Sequence, residues 1–390
     1  MQFADRLTPL QTNVFADMDR AKANARRSGQ TIIDLSLGSS DLPTAPEVLD
    51  TISAALYDPS THGYSLFHST LPFRQTVADW YTSKFGVPVD PETEVLLLIG
   101  SQEGTAHLPL AVLNPGDFAL LTDPGYPSHA GGVHLASGQF YTMPLLAENG
   151  FLPQFADIPA AVLAQARMMV LSYPHNPTTG YATLAFWQQA VTFCQTHDLV
   201  LVHDFPYGDV TYTGEPAPSV LQADPDKTVA IEFYSMSKSY NMGGFRVGYA
   251  IGNAQLIAAL RQVKAVIDFN QYPGIVQGAI AALSGSQDGV AHTVKTFQQR
   301  RDTFVDALGR IGWSIEKPEA TQYLWLKLPD PWAEDSISFC VRLVETTGVA
   351  LAPGRGFGKY GEGYVRVALV QQPDVLETAV QKIQHFLKTA

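Results

Sequence analysis

The chain has almost no cysteine. Cys194 and Cys340 are the only two in 390 residues, far apart and in no CxxC pattern. That excludes a disulfide framework, and both read as small buried hydrophobes. Apolar runs of membrane-spanning length are absent, so no segment is expected to cross a bilayer. The first residues, MQFADRLTPLQ, carry acid and base but no apolar core, and are not expected to serve as a secretory signal. Together these absences predict a reducing, cytoplasmic setting. Positive charge is scarce too: 25 Lys and Arg face 37 Asp and Glu, for a net charge of −12. An acidic surface repels phosphate backbones and anionic lipids, so neither nucleic acid nor membrane is expected as a partner. Any local cluster of Lys and Arg then needs a specific anion to explain it. The ten histidines are scattered. His129 and His134 are five apart, His62 and His68 lie in a turn-rich stretch, and no cysteine or carboxylate cluster joins them, so no metal site is expected. Repeats and low-complexity linkers are also missing.

What is present is a globular composition, 46% hydrophobic and 16% charged, on a chain longer than one core usually serves. Between about residues 94 and 252 short apolar runs alternate with helical patterns. The runs are 95–99, 118–121, 168–172, 199–202, 229–233 and 247–251. They are rich in Val, Ile and Leu and continuous, which is how strands read when both faces are covered. The helical stretch 184–196 has Thr183 as its N-cap. This predicts an α/β fold: a large domain with a mostly parallel sheet flanked by helices, whose ligands gather at the carboxyl ends of the strands. After Gly285 the pattern changes. A long helix is expected over 289–310, strands near 323–328 and 364–368, and helices over 335–346 and 374–387. The expected division is a large domain over 41–286 and a smaller α+β domain built from 1–40 and 287–390.

Five segments carry chemistry. Ser235-Met236-Ser237-Lys238 follows an apolar strand, and Arg246 comes eight residues past the lysine. A lysine at the end of a buried strand is costly unless bonded or neutralised, and desolvation favours its use as an amine nucleophile. The nearby hydroxyls and forked guanidinium suit a phosphate. Asp204 ends another apolar strand, with Tyr207 three residues on; alone, these could be turn formers. The run Tyr173-Pro174-His175-Asn176-Pro177-Thr178-Thr179-Gly180 is at least a turn. Gly100-Ser101-Gln102-Glu103-Gly104 is a strand-to-helix junction whose backbone N–H groups could hold an anion. Arg366 lies within the apolar strand Tyr364-Val365-Arg366-Val367-Ala368 and needs an anionic partner, either a bound carboxylate or an internal acid.

In this order the five segments resemble the class I/II aminotransferases, the fold-type-I pyridoxal-phosphate enzymes, over nearly the whole chain from about Ile33. The resemblance implies that Lys238 holds pyridoxal 5′-phosphate as a Schiff base. It implies a phosphate clamp of Ser101, Gln102, Ser235, Ser237 and Arg246. Asp204 would meet the pyridine nitrogen, Tyr207 the phenolic oxygen, and Tyr126 the ring face. Asn176 would point its amide at the cofactor ring and, with Arg366, bind the substrate carboxylate, with Gly38 as a backbone contact. Tyr64 would reach the neighbouring subunit's phosphate, which implies a homodimer with shared active sites. The activity implied is amino-group transfer between an amino acid and a 2-oxo acid by a ping-pong route. Glutamate and 2-oxoglutarate would form one pair, and alanine, aspartate or LL-diaminopimelate would supply the other.

Thr178-Thr179 and the run Ser237-Lys238-Ser239-Tyr240-Asn241-Met242 are nearest in wording to the alanine and LL-diaminopimelate branches. Ser69 stands where the family usually has Gly. The segment Asp268-Phe269-Asn270-Gln271-Tyr272 is unusual and leaves the roles of Asn270 and Gln271 open. A carbon–sulfur β-lyase of the same fold is the alternative reading. An aminotransferase-like sensor is the remote alternative: such proteins carry an added DNA-binding domain, and an acidic chain that begins almost at the catalytic fold is not expected to be one. The glycines Gly354, Gly356, Gly358 and Gly361 lack the strand–helix context of a nucleotide loop and read as a flexible connection into the Arg366 strand. Asp224 and Asp226 read as a solvated turn.

Overall fold

The computed structural model describes residues 1, 3–10 and 14–389. Its centre is a seven-stranded sheet. In spatial order the strands are Val95–Leu98, Gly248–Gly252, Ala230–Ser235, Val200–Asp204, Ala166–Leu171, Phe118–Asp123 and Gln139–Pro144. Gly248–Gly252 runs antiparallel to both its neighbours, and the other pairs are parallel. The apolar runs are continuous because each strand feeds two cores. Leu97, Leu120, Met169 and Leu201 pack on one face; Leu96, Leu98, Ala119, Leu121, Met168 and Val202 pack on the other. Successive residues of a strand point to opposite faces, so both must be apolar when helices cover both sides.

Six of the seven strands coincide with the apolar runs to within two residues. The seventh, Gln139–Pro144, is an edge strand with five of its six residues partly or fully exposed, and it lacks the apolar run the others have. The helix Leu184–His197 begins where expected, with the Thr183 hydroxyl accepting from the Phe186 N–H at 3.3 Å.

A second apolar cluster surrounds a three-stranded antiparallel sheet, in the order Ala352–Pro353, Tyr364–Ala368, Tyr323–Lys327. The helices Asp288–Arg310, Ser336–Thr347 and Pro373–Thr389 cover it. Met18, Ala21 and Ala25 of the helix Val14–Arg27 bury in the same cluster, and Ile33 and Asp34 pair with Val349 and Ala350. Arg300, fully buried, spans to Asp41 through two contacts of 2.6 and 2.8 Å.

Two expectations need correction. Residues 354–361 are not a loose connection. They form two short 3-10 turns, and the Asp123 carboxylate accepts from the N–H groups of Lys359 and Tyr360 at 3.1 and 2.9 Å. Asp224 is not solvated: it is buried and accepts from the backbone N–H groups of Thr228, Val229 and Ala230.

Candidate active site

Parallel strands ending on one edge bring their following residues together. Asp204 closes the strand Val200–Asp204 and is 5% exposed. Its Oδ2 lies 3.0 Å from Nε2 of His129, on the helix Pro127–Leu135. Its Oδ1 is buried and has no hydrogen-bond partner among the described residues. An orphaned buried carboxylate oxygen is expensive, so it marks a place where a donor belongs.

Three residues on, the Tyr207 hydroxyl donates to the Tyr323 hydroxyl at 3.0 Å. Burial pushes the Tyr207 phenol well above its ordinary pKa. Burial also raises Tyr323, but the charges of Lys238 and Arg366, together with hydrogen bonds from Tyr207 and Gln322, leave that phenol below its ordinary value. The pair therefore has a defined polarity, with Tyr207 as donor and Tyr323 as acceptor.

Lys238 sits in the single helical turn Met236–Ser239 that follows the strand Ala230–Ser235. The Ser235 hydroxyl caps that turn by accepting from the Ser237 N–H at 3.2 Å. The Lys238 ammonium donates to the Gly38 carbonyl, which also accepts from Gln322 Nε2 at 2.7 Å. A Cβ on Gly38 would fall 1.8 Å from the Tyr323 hydroxyl, so only glycine fits there.

At the other end of the site the helix Ser101–Val112 opens after Gly100, whose φ is +79°. A Cβ on Gly100 would lie 2.5 Å from a terminal nitrogen of Arg246, so the guanidinium rests on bare backbone. Backbone N–H groups at a helix start and a guanidinium beside them make an anion site.

Arg366 is buried at 6% exposure. It donates to Asn176 Oδ1 and to the Ser36 carbonyl, both at 2.8 Å, while its Nε has no partner. Its guanidinium carbon stands 4.3 Å from the Tyr323 ring centre and 4.7 Å from that of Phe357. Among the described residues no carboxylate pairs with it, so the internal salt bridge weighed from the sequence is absent.

Most of these groups line one cavity of about 810 Å³, with His129, Gln322 and Gly100 behind its wall. Gly38, Ser101, Gln102, Tyr126, Asn176, Asp204, Tyr207, Ser235, Ser237, Lys238, Arg246 and Arg366 border it. Tyr64 does not: it is 92% exposed on its own chain. Sequence reasoning missed Tyr323, His129, Gln322 and Phe357. His129 had been set aside as one of several scattered histidines; only its position one helical turn after Tyr126 could have linked it to the site.

Residues 30–383 match the family described as aminotransferase class I and II. The LL-diaminopimelate aminotransferase of Moorella thermoacetica is 43% identical over 387 residues, covering 99% of each chain. That of Aquifex aeolicus is 40% identical over 386 residues, again covering 99% of each. Among solved structures, substrate-bound BacF from Bacillus subtilis superposes with a TM-score of 0.94 at 35% identity, covering 99% of this chain and 98% of that one. A probable N-succinyldiaminopimelate aminotransferase from Thermus thermophilus superposes with a TM-score of 0.91 at 42% identity, covering 95% and 99%.

Proposed function

This chain belongs to the class I and II aminotransferases and is a pyridoxal-5′-phosphate-dependent transaminase, and on that premise we propose that it moves an amino group between LL-diaminopimelate and 2-oxoglutarate. The residues fit the cofactor. Asp204 Oδ1, buried and unpaired, matches a protonated ring nitrogen. The start of the helix Ser101–Val112, with Arg246 against Gly100, matches a phosphate. When bound, the cofactor supplies an aldehyde carbon for an amine and a ring that draws electron density from the substrate Cα.

The chain's own residues divide the remaining work. Ser101, Gln102, Ser235, Ser237 and Arg246 take the phosphate. Tyr126 would cover the ring face, and Tyr207 would bond the ring's phenolic oxygen by turning its hydroxyl from Tyr323. Asp204 would keep a proton on the ring nitrogen through Oδ1, while His129 fixes the carboxylate through Oδ2. Lys238 would hold the cofactor through Nζ, and as a free amine Nζ would carry the proton from the substrate Cα. Arg366 and Asn176 orient the α-carboxylate, with the Gly38 backbone beside it. Tyr323 connects these parts, since its hydroxyl meets Tyr207 and its ring carries Arg366.

The observation that carries this reading is Arg366, a buried guanidinium with an unused Nε and no acid beside it among the described residues, in the same cavity as Lys238 and Asp204. The choice of LL-diaminopimelate rests on the relatives. It is supported by the cavity's other lining: Asp204 is the only carboxylate there among the described residues, and Ser39, Ser40, Ser128 and Asn241 offer uncharged polar groups to a distal carboxylate. A half-reaction screen tests it. The yellow holoenzyme is mixed with LL-diaminopimelate, glutamate, alanine or aspartate, and conversion to the pyridoxamine form is followed by absorbance. Conversion by LL-diaminopimelate and glutamate is expected; conversion by alanine or aspartate without LL-diaminopimelate overturns the assignment.

We further propose a homodimer with shared sites, and take residues 41–286 as the large domain and 1–40 with 287–390 as the small one. Tyr64 is exposed, as are the large apolar side chains Leu56, Tyr57, Leu66, Val266 and Ile267. A second copy is the occupant that puts Tyr64 to use, each protomer lending its hydroxyl to the other's phosphate. Mixing Lys238→Ala and Tyr64→Ala chains tests this. Heterodimers should regain one intact site and raise activity above the Tyr64→Ala chain alone; no rise means that the tyrosine does not act across an interface. No helix of the described residues is long and apolar enough to cross a membrane.

A further inference from the structure

Asn270 and Gln271, which the sequence left without a role, lie at the end of a chain of buried contacts. Lys264, on the helix Ala254–Ile267, is fully buried. Its ammonium meets both oxygens of Glu103, at 2.8 and 3.0 Å, and Oδ1 of Asp268 at 3.5 Å. His107 stands 3.7 Å from the same Glu103 carboxylate. Glu103, His107 and Asp268 are close enough together to hold a metal ion, but the Lys264 ammonium already supplies the cation between the two carboxylates. Glu103 is the third residue of the helix Ser101–Val112, and its Oε2 also accepts from the Ile99 N–H. One carboxylate thus grips both sides of Gly100. The backbone then reverses at Phe269, whose φ is +63°. Beyond it, Asn270 Nδ2 donates to the Ser65 carbonyl at 2.8 Å. Gln271 Nε2 donates to the Leu98 carbonyl at 3.1 Å and to the Arg246 carbonyl at 3.3 Å. Arg246 itself has φ +56°, a left-handed backbone that a residue with a side chain holds only when neighbours fix it.

We propose that residues 264–271 are the positioning element of the phosphate end of the site. Two fragments of this site that are distant in sequence hang on it, the turn at Gly100–Ser101 through Lys264 and Glu103 and Arg246 through Gln271, while Asn270 holds the Tyr64–Ser65 strip that would reach the partner's phosphate. Their separation is therefore set by one stretch of backbone and not by the phosphate. The proposal rests on reading this end as the phosphate site.

The test measures cofactor affinity by absorbance titration of the apoprotein, with pyridoxal phosphate and with pyridoxal, which lacks the phosphate. Gln271→Ala should weaken pyridoxal phosphate about tenfold, the loss expected from one set of positioning hydrogen bonds, and leave pyridoxal unchanged. Lys264→Met with Glu103→Gln removes the buried pair and leaves only Asp268 charged, at a position reached by solvent, and should act in the same direction. If that double variant does not fold, Gln271→Ala and Asn270→Ala decide. An equal loss for both ligands, or no loss for either, overturns the positioning role, because a merely structural defect does not distinguish the two. Arg246→Ala separates the premise from the proposal. It must lose its preference for the phosphorylated ligand; if it keeps it, the phosphate-site reading itself is wrong.

Discussion

Adjacent residues of one strand belong to the two kinds of buried polar cluster in this protein. His203 faces one side of the sheet and enters a closed network. Its Nδ1 lies 2.8 Å from Glu232 Oε2 and its Nε2 lies 2.8 Å from the Tyr173 carbonyl. Glu232 also accepts from the Ser219 hydroxyl at 3.0 Å, from the Val220 N–H at 3.1 Å, and from the Tyr81 hydroxyl. Asp204 faces the other side and is left open, with one oxygen on His129 and the other without a partner. Arg366 repeats the open pattern with its unused Nε. The difference teaches how to read buried charge. A group whose every valence is met within the chain belongs to the fold, whereas one that is buried and incomplete waits for something to arrive.

The comparison breaks most visibly at Asp204. Asp204→Asn keeps the shape but cannot hold a proton on the ring nitrogen, so turnover should fall on the order of 10²–10⁴-fold. The melting temperature should stay near the wild-type value. Steady-state rates and thermal melting of the same preparation check this, and near-normal turnover would remove Asp204 from the mechanism.

On the closed side the effects should exchange places. Glu232→Gln leaves His203 and Tyr81 with a neutral partner that cannot satisfy them, and should cost about 3–5 kcal/mol of stability. The rate per folded molecule should not change. Urea unfolding alongside kcat measures both, and a rate defect without a stability defect would erase the distinction.

Arg366→Ala sharpens the open case. Apparent KM for both amino acid and 2-oxo acid should rise by the equivalent of about 2–5 kcal/mol in binding, as when one partner of a buried charge pair is removed. A change confined to thermal stability would return Arg366 to a structural role.

His175 limits the rule, because it is open and still not assigned any chemistry. It is fully buried, its Nδ1 lies 2.7 Å from the Thr178 hydroxyl, and its Nε2 has no partner. Burial, with a smaller contribution from nearby His129, lowers its pKa from 6.5 to about 3. The folded chain therefore binds fewer protons here than the unfolded chain between those values. Stability should fall as pH drops from 6.5 toward 3, by up to about 1.4 kcal/mol per pH unit from this residue. His175→Gln should flatten that part of the stability profile relative to wild type; identical profiles would mean that the ring is not held neutral.

Much of this was legible before any fold was known, for reasons that particular residues make plain. The strands that end in Asp204 and Ser235 announce themselves because both faces are covered and the apolar run is unbroken. Lys238, Asp204 and Arg366 stand out because a charge at the end of such a run, or inside it, requires a partner. Gln139–Pro144 was not legible, since an exposed edge strand needs no apolar run. Tyr64 announced itself by its wording, yet on its own chain it touches none of the cavity.

The sequence by itself determined six strands of the large sheet, their order along the chain and the charged groups that could not be buried without cause, because these depend on neighbours within a few residues. Only the tertiary structure decided which of those groups are completed and which are left open. His129 meets Asp204 across 75 residues, Tyr323 meets Tyr207 across 116, and Lys264 meets Glu103 across 161. No local pattern encodes a hydrogen bond over such separations. It exists only where packing of the sheet and its helices brings the two backbones within reach.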